Sequence, residues 1–245
     1  MYTAARSYRN GSTPTVLLVH GAFSDTSIWA GVISRLLAAG LDVVAPANPL
    51  RGLTTDAAYL ASVTVEIDGP VLLVGHAYGG AVISVAGATA ATVVGLVYVA
   101  GHALDEGESA IDIDRRFPSP QFGPSLRPTT FAGGGATLSV ELTIRQDAFA
   151  AVFAANLPPR LAAVLAVTQR PIAAAALEAP CPAAAWKTRP SWYAIATADQ
   201  VLHPEAQRFM AHRAGAQTIE VDASHAITLT QPLAIADLIQ RAATG

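Results

Sequence analysis

The chain has 245 residues, 52% of them hydrophobic and 13% charged, with a formal net charge of −3. This length fits one large domain, or a core with an insertion, and allows a substantial buried core. The charge supplies no basic footprint for nucleic acid or an anionic membrane surface, and the lone cysteine, Cys181, excludes an internal disulfide and a multi-cysteine metal site.

The first residues, Met1 to Arg6, lack the apolar stretch of a signal peptide. Together with the lone cysteine this points to a reducing compartment, the cytoplasm. Asn10-Gly11-Ser12 matches a glycosylation acceptor, a tripeptide common by chance. Thr15–Val19 reads as the first strand and ends at His20-Gly21. A helix is expected over Ser27–Ala39, where Ile28, Val32, Leu36 and Ala39 recur at helical spacing and Gly40 supplies a stop. Asp42–Ala45 reads as a strand closed by Pro46, and Thr54–Ile67 as a helix with Asp56 in its first turn.

No Asp, Glu, Lys or Arg lies between Asp68 and Asp105. A membrane span is rejected there, because glycines and histidines divide the stretch into a strand at Val71–Val74, a helix at Tyr78–Ala90 and a strand at Val93–Val99. After Gly101 the alternation stops. Residues 104–189 carry Pro118, Pro120, Pro124 and Pro128, then Gly133-Gly134-Gly135, then Ala-rich helical patterns. They read as a helical insertion over the sheet, with core segments 1–103 and 190–245 on either side. Ser191–Thr197 restores a strand, Pro204–Ala214 a helix, Gln217–Val221 the last strand and Pro232–Ala242 a terminal helix. Strands alternating with helices imply an α/β fold with a mostly parallel sheet flanked by helices.

Chemistry concentrates at three places. Gly75-His76-Ala77-Tyr78-Gly79-Gly80 has the glycine frame of a G-x-S-x-G nucleophile elbow, with alanine where the hydroxyl belongs. His225 follows the last strand by the short loop Asp222-Ala223-Ser224 and is the candidate base. Asp199, at the end of strand 191–197, is the candidate acid that orients it, and Asp105 is held in reserve. Backbone N–H groups of Ala22 and Tyr78 are the candidate oxyanion donors. His20 reads as a structural histidine bonded to loop backbone, and His76 as structural too. Phe23, His102 and Trp186 are the candidate substrate-binding residues, from their places beside the oxyanion loop and at the two ends of the insertion. The glycine run lacks the Lys-Ser/Thr of a phosphate loop, and the histidines lack zinc spacing, so no cofactor and no metal is implied.

On the residues His20-Gly21-Ala22-Phe23, Gly75–Gly80, Asp199 and His225, nearly the whole chain resembles the α/β-hydrolase superfamily. It is most similar to the cofactor-free serine esterase branch that includes bacterial pyrethroid-type esterases, plant methyl-ester esterases and hydroxynitrile lyases. The resemblance implies an α/β-hydrolase fold, a Ser-Asp-His triad and a helical cap at 104–189. It implies a small hydrophobic ester or lactone as substrate, with no nucleic acid or membrane partner. Ala77 is the departure. Since Asp199, His225 and both elbow glycines remain, the alanine reads as an inactivating Ser→Ala replacement. Two alternatives stand beside this reading: a natural non-serine enzyme (lyase, cyclase or cofactor-free oxygenase) using His225 and Asp199 as a general base, and a ligand-binding pseudoenzyme. Oligomeric state and substrate identity do not follow from these residues.

Overall fold

The computed structural model describes residues 13–133 and 138–244. The N-terminal segment, the Asn10-Gly11-Ser12 tripeptide and Gly134-Gly135 of the glycine run lie outside the described residues.

Six strands form the central sheet: β1 (Thr15–Val19), β2 (Val43–Val44), β3 (Val71–His76), β4 (Val93–Val99), and, late in the chain, β8 (Ser191–Ala196) and β9 (Gln217–Val221). Their order is β2-β1-β3-β4-β8-β9, and every pairing is parallel. β3 and β8 are buried along their whole length, which explains their continuous apolar sequence without alternation. Parallel neighbours need crossovers, and these are helices. Helix Leu53–Val65 packs against helix Tyr78–Thr89, and helix Ala30–Ala38 packs against the terminal helix Pro232–Thr244. The chain runs outward from β1 to β2, then returns to β3 on the other side of β1. Right-handed crossovers therefore place the helix before the reversal, Ala30–Ala38, on one face and the two after it, Leu53–Val65 and Tyr78–Thr89, on the other. The reversal opens a crevice at the carboxyl ends of β1 and β3, where open parallel sheets bind ligands.

The segment between β4 and β8 carries the expected helices, at Ala110–Arg116, Gln146–Phe153 and Pro159–Thr168 among others. It also carries a three-stranded antiparallel sheet that the sequence reading did not include: β5 (Leu126–Ala132), β6 (Leu138–Ile144) and β7 (Ile172–Ala173). β5 is an edge strand, which accommodates Pro128 opposite Leu142. Core and cap are tied by Arg51, whose guanidinium binds Glu141 at 2.7 Å and lies 4.5 Å from the Phe131 ring centre. Backbone bonds from Phe23 N–H to the Arg170 carbonyl and from Ala173 N–H to the Leu50 carbonyl complete the seam. Among the described residues, no helix is long and apolar enough to cross a membrane.

Close backbone contacts set the crevice. A Cβ on Gly79 would overlap the Val19 carbonyl oxygen and stand 3.0 Å from its carbon. The elbow helix thus rests directly on the end of β1, and only glycine permits that approach. His20, at the same strand end, is fully buried. Its Nδ1–H donates to the Gly21 carbonyl at 2.9 Å, and its Nε2 accepts the Asn48 N–H at 3.0 Å. One donor and one acceptor define a neutral ring, and burial lowers its pKa to about 4.

Two outcomes follow from these contacts. Gly79→Ala should destabilise the protein by about 3 kcal/mol, because backbone rather than a flexible side chain opposes the new methyl; the urea unfolding midpoint reads this. Stability should also fall on acidification. The unfolded chain protonates His20 near pH 6.5, whereas the folded chain resists until about pH 4. The unfolded state therefore binds more protons across that window, and stability rises with pH through it. His20 alone should account for about 2 kcal/mol lost between pH 7 and pH 5, measured as unfolding free energy at the two pH values.

Candidate active site

The elbow is built by conflict between two buried elements. β3 must end and helix Tyr78–Thr89 begin within a single residue. Ala77 takes that turn at φ 51, ψ −122, a conformation that costs an L-residue about 1–3 kcal/mol. Its carbonyl accepts the N–H groups of Gly80 and His102, at 2.9 and 3.0 Å. Behind it, the Tyr78 hydroxyl donates to the buried Asp56 carboxylate at 2.9 Å. Asp56 also accepts the N–H groups of Arg51 and Gly52, and its pKa is raised by burial despite these bonds. Gly21 faces the turn: a Cβ there would lie 2.6 Å from the Ala77 Cβ and 3.1 Å from the Tyr78 nitrogen. The loop after β1 therefore presses against the elbow itself. Phe23 N–H is engaged with the cap, 3.0 Å from the Arg170 carbonyl, so it has no free direction toward the crevice.

Asp199 and His225 meet. The His225 Nδ1–H donates to Asp199 Oδ2 at 2.7 Å, and both side chains are buried. This fixes the tautomer and leaves Nε2 as the ring's acceptor. The other carboxylate oxygen accepts the N–H groups of Val201 and Leu202, at 2.8 and 3.1 Å. The Gln207 amide completes the set. It donates to Asp199 Oδ2 at 2.9 Å and to the Leu202 carbonyl, while its oxygen accepts the Ala196 N–H. Sequence reasoning missed Gln207. Its signal was a polar amide within the buried stripe shared with Met210 and Ala211 on helix Pro204–Arg213.

The histidine loop is clamped at three consecutive residues. Ser224 N–H donates to the Asn156 side chain at 2.7 Å, the His225 carbonyl accepts His76 Nε2–H at 2.8 Å, and Ala226 N–H donates to the Phe153 carbonyl. The Phe153 ring meets the His225 imidazole edge-to-face at 5.0 Å. His76 is fully buried, and desolvation, reinforced by neighbouring His225, holds its pKa well below the usual value. It acts as a neutral donor.

A cleft of about 390 Å³, open mouth included, connects these parts. Ala22, Phe23, Ala77, Tyr78, His102 and His225 line it, joined by Asp114, Phe122, Leu177 and Val201. The first six were all singled out from sequence. Trp186 is a correction. It stands where the cap rejoins the core, its indole N–H donating to the Leu104 carbonyl at 2.8 Å, and it does not line the cleft. Asp105, the reserve acid, is partly exposed and pairs with Lys187 at 2.6 Å, while the His225 bond goes to Asp199. Ser24 donates to the Gly21 carbonyl at 3.2 Å and lies outside the cleft.

Solved structures with the same fold are numerous. A pyrethroid hydrolase from Sphingobium faniae JZ-2 superposes with a TM-score of 0.78 at 21% identity, covering 95% of this chain and 98% of its own. Polyneuridine aldehyde esterase gives 0.81 at 18% identity, with coverage of 94% and 100%. Tomato methylketone synthase I, complexed with 2-tridecanone, gives 0.78 at 17% identity, with coverage of 95% and 98%. A search of curated proteins finds no match. The sequence profile described as the alpha/beta hydrolase family matches residues 16–238, nearly the whole chain, and the protein belongs to that family.

Proposed function

We propose that this chain is a carboxylic ester or lactone hydrolase of the cytoplasm whose nucleophile position is occupied by alanine in place of serine. In this reading it binds its substrate and does not acylate. The observation that carries it is Ala77 itself, held at φ 51 in a cleft that His225 also lines, while the His225–Asp199 pair remains intact. An alanine gains nothing from so costly a backbone conformation; a serine there gains exposure of its hydroxyl. The esterases among the structural neighbours support the same substrate class.

With serine at 77 the chemistry runs as follows. His225 Nε2 takes the hydroxyl proton as the oxygen attacks the ester carbonyl. Ala22 and Tyr78 N–H groups receive the developing oxyanion, consistent with the press of Gly21 against Tyr78 and the diversion of Phe23 N–H to the cap. His225 then protonates the leaving alcohol. Water, deprotonated by the same nitrogen, releases the acid. Asp199 holds the ring and stabilises its positive charge throughout.

One observation favours a second reading. His225 keeps its partner although no hydroxyl stands at 77, and a protein with this fold is a synthase rather than a hydrolase by name. There, His225 would act as general base on a carbon- or oxygen-bound proton of a substrate seated where the serine side chain would be.

Ala77→Ser should raise hydrolysis of short p-nitrophenyl esters by about 10⁴-fold or more over the unaltered chain, and His225→Ala in that background should remove the gain. No gain on short esters, bulky esters or lactones overturns the hydrolase reading. In the second reading, the unaltered chain itself turns over a carbon acid or ketone precursor. Progress curves that vanish with His225→Ala support that, and their persistence in the His225→Ala chain rejects it.

A further inference from the structure

His102 is a buried histidine whose ring has nothing to bond. It is 7% exposed, and neither Nδ1 nor Nε2 has a hydrogen-bond partner in the described structure. Buried imidazole nitrogens are normally satisfied: both of His20 are bonded here and so is Nε2 of His76, whose Nδ1 alone lacks a partner, whereas His102 has neither bonded. The ring lines the same cleft as Ala77 and His225: it follows β4, and its backbone N–H is tied to the Ala77 carbonyl. The nearest charged group is Asp114, on cap helix Ala110–Arg116. Its Oδ1 is 4.0 Å from His102 Nε2, its side chain is 32% exposed, and it also lines the cleft.

That separation is too long for a direct hydrogen bond and suits an atom between the two. An oxygen about 2.8 Å from each would see them at an angle of about 90°, within the range a hydroxyl accepts. The pair offers one donor, a ring N–H, and one acceptor, a carboxylate. A hydroxyl presents the matching acceptor and donor. A carboxylate ligand would meet Asp114 as a like charge, and an ammonium would have to shed its water among Phe23, Phe122, Leu177 and Val201.

We propose that His102 and Asp114 form a hydroxyl-recognising subsite that selects hydroxylated substrates, with the rest of the substrate apolar. The hydroxyl enters at the mouth, donates to the accessible Asp114 carboxylate and accepts from the buried Nε2–H of His102. This deepens the hydrolase reading by naming its substrate class, a hydroxy ester, and rests on it for the ester half.

The unaltered chain is suited to the test, since Ala77 prevents acylation and binding can be read alone. Methyl 2-, 3- and 4-hydroxyhexanoate and methyl hexanoate are titrated by calorimetry. At least one hydroxy isomer should bind about tenfold tighter than methyl hexanoate, the worth of one well-made buried hydrogen bond. His102→Leu should bring that ratio to about one, with an unchanged circular-dichroism spectrum showing that the chain stays folded. Asp114→Asn, at a partly exposed cap position, should reduce the ratio without a change in melting temperature. Equal binding of all four esters, no binding by any, or a preference that survives both substitutions overturns the subsite. A preference that depends on His102 beside an inert Ala77→Ser chain leaves the subsite standing and removes the ester hydrolase.

Discussion

At Ala77 the backbone must leave a fully buried strand and enter a helix buried through its first two turns, with no residue to spare. Everything around the cleft is arranged to hold that turn. Gly79 lets the helix rest on the Val19 carbonyl, Gly21 lets the neighbouring loop touch the Ala77 methyl, and the buried Asp56 takes the Tyr78 hydroxyl. Strain of this kind persists only where surrounding contacts over-determine it. The same crowding brings a β1 loop, a β4 terminus and the helix N-terminus within reach of one point. The turn is therefore both a strained piece of backbone and the reference from which the other groups of the cleft are placed.

The core was legible because its strands are short, buried and rich in β-branched residues. β1, β4 and β9 match their expected limits, and the expected helices differ from the observed ones only by a few terminal residues. The Asp199–His225 pairing could be anticipated because each residue follows a strand end. The cap hairpin was harder. β6 does alternate, as Leu138, Val140, Leu142 and Ile144, but Leu138 and Val140 are exposed, and the preceding strand holds Pro128 and ends beside Gly133. Composition there speaks for a loop, and pairing across the sheet overrides it. Trp186 was misplaced for a related reason. Closeness in sequence to the end of the insertion does not reveal that its indole turns to the Leu104 carbonyl.

Gln207 and Asp114 were missed for different reasons. Gln207 acts through a helix face, and its partner Asp199 precedes it on a separate loop. Asp114 matters only because a cap helix carries it to His102, on the far side of the β4 terminus. Neither relation has a short-range pattern. Both are products of tertiary packing, which is also what buries His102 while leaving its ring without a partner.

The cap does more than roof the cleft. Asn156 and Phe153 belong to it, yet they hold Ser224, Ala226 and the His225 ring. The position of the His225 imidazole is thus set partly by the segment that also lines the cleft. In this chain the cap is therefore not an interchangeable module over an indifferent core. A graft that replaces residues 146–156 would remove both Asn156 and Phe153, and with them the contacts that hold the 222–226 loop and its imidazole in place.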